Sequence, residues 1–371
     1  MKKISVITLQ NVRNYGSVLQ ALATQKILED LGYSVDFYNY NRRNISSIKM
    51  RIKTWVKKQP VIKKIIMGII LYPTFIRQNV IFNSFIKKYL HQQKNVVSDI
   101  NDFRKIQHNA DIYCTGSDQT WNSDWNGGVL PEVFLEFAPQ GAKKIAYAAS
   151  IGKSKLDDYE IEPFKNYLKQ YSAISVRESS AVDIIKNQLN LGSVTQVLDP
   201  TLQVTKEFWE SLLSKQQKDL PNKGKYVLLY QLNTNKEMDI YAKEFATKKG
   251  WPLIRFCTRF DQFFKVGKSA IIPKVTDFIS LIANAGCVIT DSFHATAFCC
   301  NMNIPMICIY PKEFGGRLAS LLKLLNLENR HLENYNDFSF TNRTEINFSK
   351  VNEILDIERE KGFLFLKRAV I

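Results

Sequence analysis

Short apolar runs, each ending in a polar loop that opens a helical pattern, recur along nearly the whole chain. Lys3–Leu9 alternates β-branched residues and ends in the polar loop Gln10–Tyr15. A helix follows from about Gly16, with Val18, Ala21, Leu28 and Leu31 along one side and Gly32 as its stop; Ser34–Tyr38 is the next strand. Such a strand–helix–strand unit implies parallel pairing with a right-handed crossover. The alternation resumes at Asp111–Thr115, Lys144–Ala149, Ala173–Val176 and Val194–Leu198. It returns at Tyr226–Leu232, Leu253–Phe256, Cys287–Thr290 and Ile307–Tyr310, with helical patterns between the runs. Repeated βα units of this kind fold as open parallel sheets covered by helices.

A chain of 371 residues exceeds one ordinary core. A polar linker, Ser214–Lys225, carries Pro221 and Gly224 and divides the alternation in two. The expected domains are 1–213, 214–345 and a helical tail at 346–371. The fold class is α/β: two Rossmann-like domains facing a cleft, with a basic helical insert at about 40–95 in the N-terminal domain.

The charge is local. The chain carries 51 Lys and Arg against 35 Asp and Glu, a net +16, yet residues 37–98 contain no acidic residue and thirteen basic ones. The other 38 basic residues nearly balance the 35 acidic ones. Bulky apolar residues are interleaved with these cations, from Trp55 through Ile65, Ile66, Met67, Ile69, Ile70, Leu71, Tyr72 and Phe75. Cations beside apolar groups suit a helix lying on an anionic membrane surface, engaged through basic residues 42–94. The bland alternative is a basic insert packed on its own domain. Clustering with long aliphatic runs disfavours a nucleic-acid partner. The apolar run Ile65–Tyr72 is too short to span a bilayer, and an amphipathic helix at Val80–Leu90 is expected to close the insert. Lys2-Lys3 followed by a run that stops at Gln10 reads as a strand, not a signal peptide, so a cytoplasmic protein is expected. Six cysteines without CxxC spacing read as buried thiols, and only four histidines are present, so neither disulfides nor a metal centre is expected.

Four strand-end loops carry the residues suited to chemistry. Asn14-Tyr15-Gly16-Ser17 opens the first helix, where backbone N–H groups either meet an anion or are closed by a simple N-cap. No Walker motif and no GxGxxG accompanies it, which argues against a dinucleotide cofactor. Ser117, Asp118 and Trp121 follow Gly116. Asp118 suits a base or a sugar-hydroxyl acceptor, and Trp121 a sugar-stacking face; the alternative is an Asx-type turn. Arg177-Glu178 ends a short apolar strand and is either a fork for phosphate or carboxylate or a surface ion pair. Asp291-Ser292-Phe293-His294 stands where a buried strand gives way to a helix, which suits proton exchange beside a bound anion or a structural hydrogen bond. Arg317, after Gly315-Gly316, offers a second cation.

These loops, in this order, resemble the polysaccharide pyruvyl transferase family. The matching stretches are Asn14–Gln20, Gly116–Asn122, Ala146–Ser150, Ser175–Glu178, Val197–Thr201 and Thr290–Thr296. The resemblance implies a fold like the GT-B glycosyltransferases and transfer of the enolpyruvyl unit of phosphoenolpyruvate onto a sugar. The products are a pyruvate ketal and phosphate, with no cofactor and no obligatory metal. By position Arg177 resembles the residue that grips the donor and His294 the histidine near the reacting carbon. Some members have an Arg two residues before that histidine, where Ser292 stands here; Arg317 is the candidate replacement. Asp118 or Asp291 then partners His294 in acid–base work. Asn14, Tyr15, Gly16, Ser17, Ser117, Trp121, Ser292 and Phe293 fall on the substrate-binding side. Acceptors of this kind are commonly sugars on a polyprenyl diphosphate, which places the enzyme at the inner face of the plasma membrane. The rivals are a glycosyltransferase using a nucleotide sugar on the same fold and a non-catalytic sugar or lipid-carrier binder.

Overall fold

The computed structural model describes residues 1–42, 60–311, 315–342 and 346–371. The chain divides into two compact units: Met1–Ser47 with Asn83–Val204 and Asp356–Ile371, and Ile48–Phe82 with Thr205–Leu355.

The first unit is built on seven parallel strands: β1 (Lys3–Ile7), β2 (Ser34–Tyr40), β3 (Gln92–Val97), β4 (Ile112–Thr115), β5 (Lys143–Ala149), β6 (Ala173–Val176) and β7 (Thr195–Gln196). Their order is β3-β2-β1-β4-β5-β6-β7. Ile4 of the central strand β1 pairs with Val35 on one side and Ile112 on the other. Helix α1 (Tyr15–Asp30) is buried from Tyr15 through Gln25, so its first turns lie inside the unit. Apolar residues on nearly every side, Val18, Leu19, Ala21, Leu22 and Ala23, explain that depth. An aromatic core under the sheet stacks Phe103 on Phe137 with ring centroids 4.2 Å apart.

The second unit has five parallel strands: β8 (Val227–Tyr230), β9 (Leu253–Cys257), β10 (Lys268–Ile271), β11 (Cys287–Thr290) and β12 (Met306–Cys308), in the order β10-β9-β8-β11-β12. Both sheets therefore start at their centre, grow to one side, and reverse, which is the doubly wound Rossmann-like pattern.

Three expectations change. The boundary falls at Thr205, not at 213, because Trp209 packs against Phe298 of the second unit with ring centroids 4.8 Å apart. The basic insert is not an appendage of the N-terminal domain. Six of its thirteen cations lie at 43–59, outside the described residues. From residue 60 it forms one long helix, α2 (Val61–Tyr89), with Pro73 inside it, and its residues up to Phe82 belong to the second unit. The C-terminal segment is not a separate tail. The later part of helix α3 (Phe348–Val370) belongs to the first unit, where Arg359 Nε donates to Leu202 O at 2.9 Å and Tyr33 Oη to Val370 O at 2.9 Å. No helix of the described residues is long and apolar enough to cross a membrane.

Candidate active site

Strand order reverses between β1 and β4 in the first unit and between β8 and β11 in the second. Ligands of open parallel sheets bind beyond the carboxyl ends of strands at such reversals. The residues nominated from sequence fall into two clusters, one in each unit.

In the first unit the start of α1 is closed by its own cap. Asn14 Oδ1 accepts from Gly16 N at 2.9 Å and Ser17 N at 3.3 Å. The N-cap reading of this loop therefore holds, and these two N–H groups already have an acceptor. Tyr15 is buried, and Ser17 Oγ donates a short hydrogen bond to Asp118 Oδ2. Asp118 stands at φ 75°, a left-handed conformation uncommon for a residue with a Cβ. Its other oxygen accepts Gln119 N at 2.9 Å. A Cβ on Gly152 would come within 2.6 Å of Asn122 Nδ2 and Gln119 Oε1, and Gly152 itself is at φ 71°. Only glycine lets that loop approach so closely.

Arg177 is drawn inward. Its side chain is 0% exposed, with Nη1 at 2.6 Å from Asp199 Oδ2, Nη2 at 3.4 Å from Asp118 Oδ1 and Nε at 3.7 Å from Glu178 Oε2. Burial lowers the guanidinium pKa, but Asp199, Asp118 and Glu178 outweigh it, and the pKa rises above its ordinary value. Ser117 Oγ, Thr201 N and Thr201 Oγ1 complete the shell of Asp199 at 2.9, 2.9 and 2.7 Å. Glu178 Oε1 accepts from Ser150 Oγ, Ile151 N and Gly152 N at 2.9 to 3.0 Å. The fork that the sequence offers to a bound anion is closed onto carboxylates of the protein, and the Arg–Glu pair is buried, not on the surface. Trp121 is a further correction. Its ring lies flat on Phe134, centroids 5.5 Å apart, and Nε1 donates to Val133 O at 3.2 Å. It is a core residue, not a face for a sugar.

Sequence reasoning missed one cation here. Arg42 was counted with the basic insert, yet Nη1 donates to Trp125 O at 3.0 Å and to Asn126 Oδ1 at 2.8 Å. Burial lowers its pKa, and Tyr40 and Asp118 partly offset that. The available signal was position: Arg42 stands two residues past the carboxyl end of β2, the neighbour of β1.

In the second unit Asp291 holds the loop after β8. Its oxygens accept Leu232 N at 2.7 Å, Asn233 N at 2.9 Å and Asn233 Nδ2 at 3.0 Å. Burial pushes the carboxyl pKa up, and these N–H donors pull it back. Asp291→Asn turns an amide NH₂ toward backbone N–H groups. We expect it to cost about 1–3 kcal/mol, read as a lower urea midpoint. Ser292 caps the next helix, α4 (Phe293–Met302), its Oγ accepting Ala295 N at 3.3 Å. Phe293 and His294 occupy the first turn of α4, their rings edge-to-face with centroids 5.3 Å apart. Helix α5 (Gly316–Leu324) begins beside them and sets the Arg317 guanidinium 5.9 Å from the centre of the Phe293 ring. The cation nominated as a stand-in for Ser292 therefore reaches the turn that bears His294. Among the described residues no group of three or more His, Cys, Asp or Glu is placed to hold a metal, and all six cysteines are free and buried.

Among curated proteins no relative matches. Solved structures with similar folds include the UDP-N-acetylglucosamine 2-epimerase from Rickettsia bellii, at 11% identity, 99% of this chain and 96% of that chain, TM-score 0.48. A UDP-glucosyltransferase from Polygonum tinctorium is similar at 10% identity over 99% and 98%, TM-score 0.49. The ADP-heptose lps heptosyltransferase II of E. coli is similar at 11% identity over 97% and 99%, TM-score 0.40. The family model described as polysaccharide pyruvyl transferase matches residues 14–313, which takes in the loops of both clusters up to β12. The chain is a transferase and belongs to the polysaccharide pyruvyl transferase family.

Proposed function

We propose that this enzyme moves the enolpyruvyl unit of phosphoenolpyruvate onto a sugar of a surface polysaccharide or of its polyprenyl-diphosphate-linked precursor. It does so at the inner face of the plasma membrane, where basic residues within 43–94 engage anionic lipid. The observation that carries the reading is the second-unit cluster, with His294 on a capped helix turn and Arg317 over the neighbouring Phe293 ring. Phosphoenolpyruvate brings a phosphate and a carboxylate, so its grip needs cations and the positive end of a helix. Arg317 and the start of α4 supply both.

Ketal formation adds two sugar oxygens to one carbon of the enolpyruvyl unit and breaks its bond to phosphate. One hydroxyl proton ends on the methylene carbon, making a methyl group, and the other leaves with the phosphate. His294 is assigned to carry a proton between hydroxyl and methylene. Asp118, with Ser17 bonded to it, is kept as the acceptor-side carboxylate. Asp291, occupied by three N–H donors, is assigned to positioning.

The test is calorimetric binding of phosphoenolpyruvate beside a nucleotide diphosphate. Wild type should bind the first and not the second. Arg317→Ala should lose about 1.5–3 kcal/mol of binding, roughly a tenfold to hundredfold rise in Kd. Binding of the nucleotide alone would overturn the reading in favour of a nucleotide-sugar enzyme.

A further inference from the structure

Between Leu71 and Phe82, helix α2 is seated on the second unit by one side. Leu71, Phe75, Gln78 and Phe82 are buried on the second unit. Thr74 Oγ1 accepts Phe260 N at 3.2 Å, Gln78 Nε2 donates to Thr258 O at 2.9 Å, and Arg77 Nε donates to Ile272 O at 3.2 Å. The opposite side carries Ile69, Tyr72, Ile76 and Val80, which are 70, 54, 42 and 65% exposed. Steps of three, four and four residues put them in one line along the helix. The turn bonded to Thr74, Phe260–Phe264, ends in Phe263 and Phe264, the latter 90% exposed. Soluble surfaces scatter single apolar side chains, whereas a helical stripe and a bare phenylalanine pair in the same unit mark an interaction face.

We propose that this face of the second unit docks the enzyme on an anionic lipid bilayer, with Ile69, Tyr72, Ile76, Val80, Phe263 and Phe264 entering the boundary between headgroups and acyl chains. Charge selects the occupant. The stripe lies within 48–82, the part of the insert that belongs to the second unit, which has eight basic and no acidic residues; Lys268 and Lys265, the latter 3.8 Å from Asp239, follow the phenylalanine pair. A second copy would bring like charge to the same face, whereas an anionic bilayer offers the opposite charge and an apolar layer beneath it. The inference rests on the membrane-face reading above and adds which unit and which side chains meet the lipid.

Sedimentation with phosphatidylglycerol-containing vesicles tests it. Two variants keep every cation: one with Ile69, Tyr72, Ile76 and Val80 changed to Ser, the other with Phe263→Ser and Phe264→Ser. Each should bind vesicles at least about tenfold more weakly than wild type, because apolar insertion adds to charge attraction. Thermal unfolding and phosphoenolpyruvate binding should not change. A third variant, with Lys57, Lys58, Lys63 and Lys64 changed to Gln, reads the electrostatic part and should also bind more weakly. If the two apolar variants bind as wild type does, the docking face is wrong while the membrane reading survives on cations alone. If wild type ignores anionic vesicles, both fail, and pyruvyl transfer is still judged by the ligand test. If wild type is dimeric without lipid and the helix variant monomeric, the face is a self-interface and the proposal is overturned.

Discussion

Replacing Arg177 with methionine should destabilise the protein by about 3–5 kcal/mol, because it leaves buried carboxylates without their shared cation. The guanidinium is within 4 Å of Asp199, Asp118 and Glu178, and two of those side chains are as buried as its own. Hydroxyl and backbone donors around Asp199 and Glu178 remain after the change, but none of them carries charge. Urea unfolding followed by circular dichroism should show the lower midpoint. The pairing adds a sharper check. Asp199→Asn in the Arg177→Met background should restore part of the loss, so the double variant falls short of the summed singles. An Arg177→Met protein as stable as wild type would remove the buried network from this account. Lost phosphoenolpyruvate binding in an Arg177 variant reports contact only if the variant is shown to be folded.

The alternation that shows in the sequence is the alternation in the structure where strands are apolar. β1, β4, β5, β8 and β11 are such strands, each an apolar run next to a helix-opening loop. β3 was not legible, because four of the six residues of Gln92–Val97 are polar and the strand sits at the sheet edge. β10, a four-residue strand at the other sheet's edge, escaped for the same reason. The insert misled because charge was counted without burial. Arg42 closes on the backbone of the first unit, and Leu71, Phe75 and Phe82 seat the helix on the second. His294 was visible because a polar ring directly after the buried run Cys287–Thr290 needs a reason to be there. The closure of Arg177 was not visible, since its partners Asp199 and Asp118 lie 22 and 59 residues away. Only the sheet order brings the ends of β4 and β6 and the loop after β7 together. Trp121 failed similarly: its loop looked like a sugar platform, but Phe134 claims the ring's face.

His294→Ala should lower phosphate release by about 10²- to 10⁴-fold, the usual loss when a positioned acid–base group is removed. Binding of phosphoenolpyruvate should stay near the wild-type value, since the anion is assigned to Arg317 and the helix start. His294 is nearly buried on the first turn of α4, a helix capped by Ser292 and buried along its whole length. Truncation there leaves that cap in place, so folding should survive and the melting curve should show it. A purely structural histidine predicts something different: binding and turnover fall together and added imidazole changes neither. A proton carrier predicts partial recovery of turnover with imidazole, because a free ring can enter the space left behind and take up the transfer. Product formed in deuterated water closes the argument. If a proton is delivered to the methylene carbon, the new methyl group gains deuterium in wild type. Turnover of His294→Ala within tenfold of wild type, with unchanged deuterium content, would assign the proton step to another group, and Asp118 would be the next residue to change.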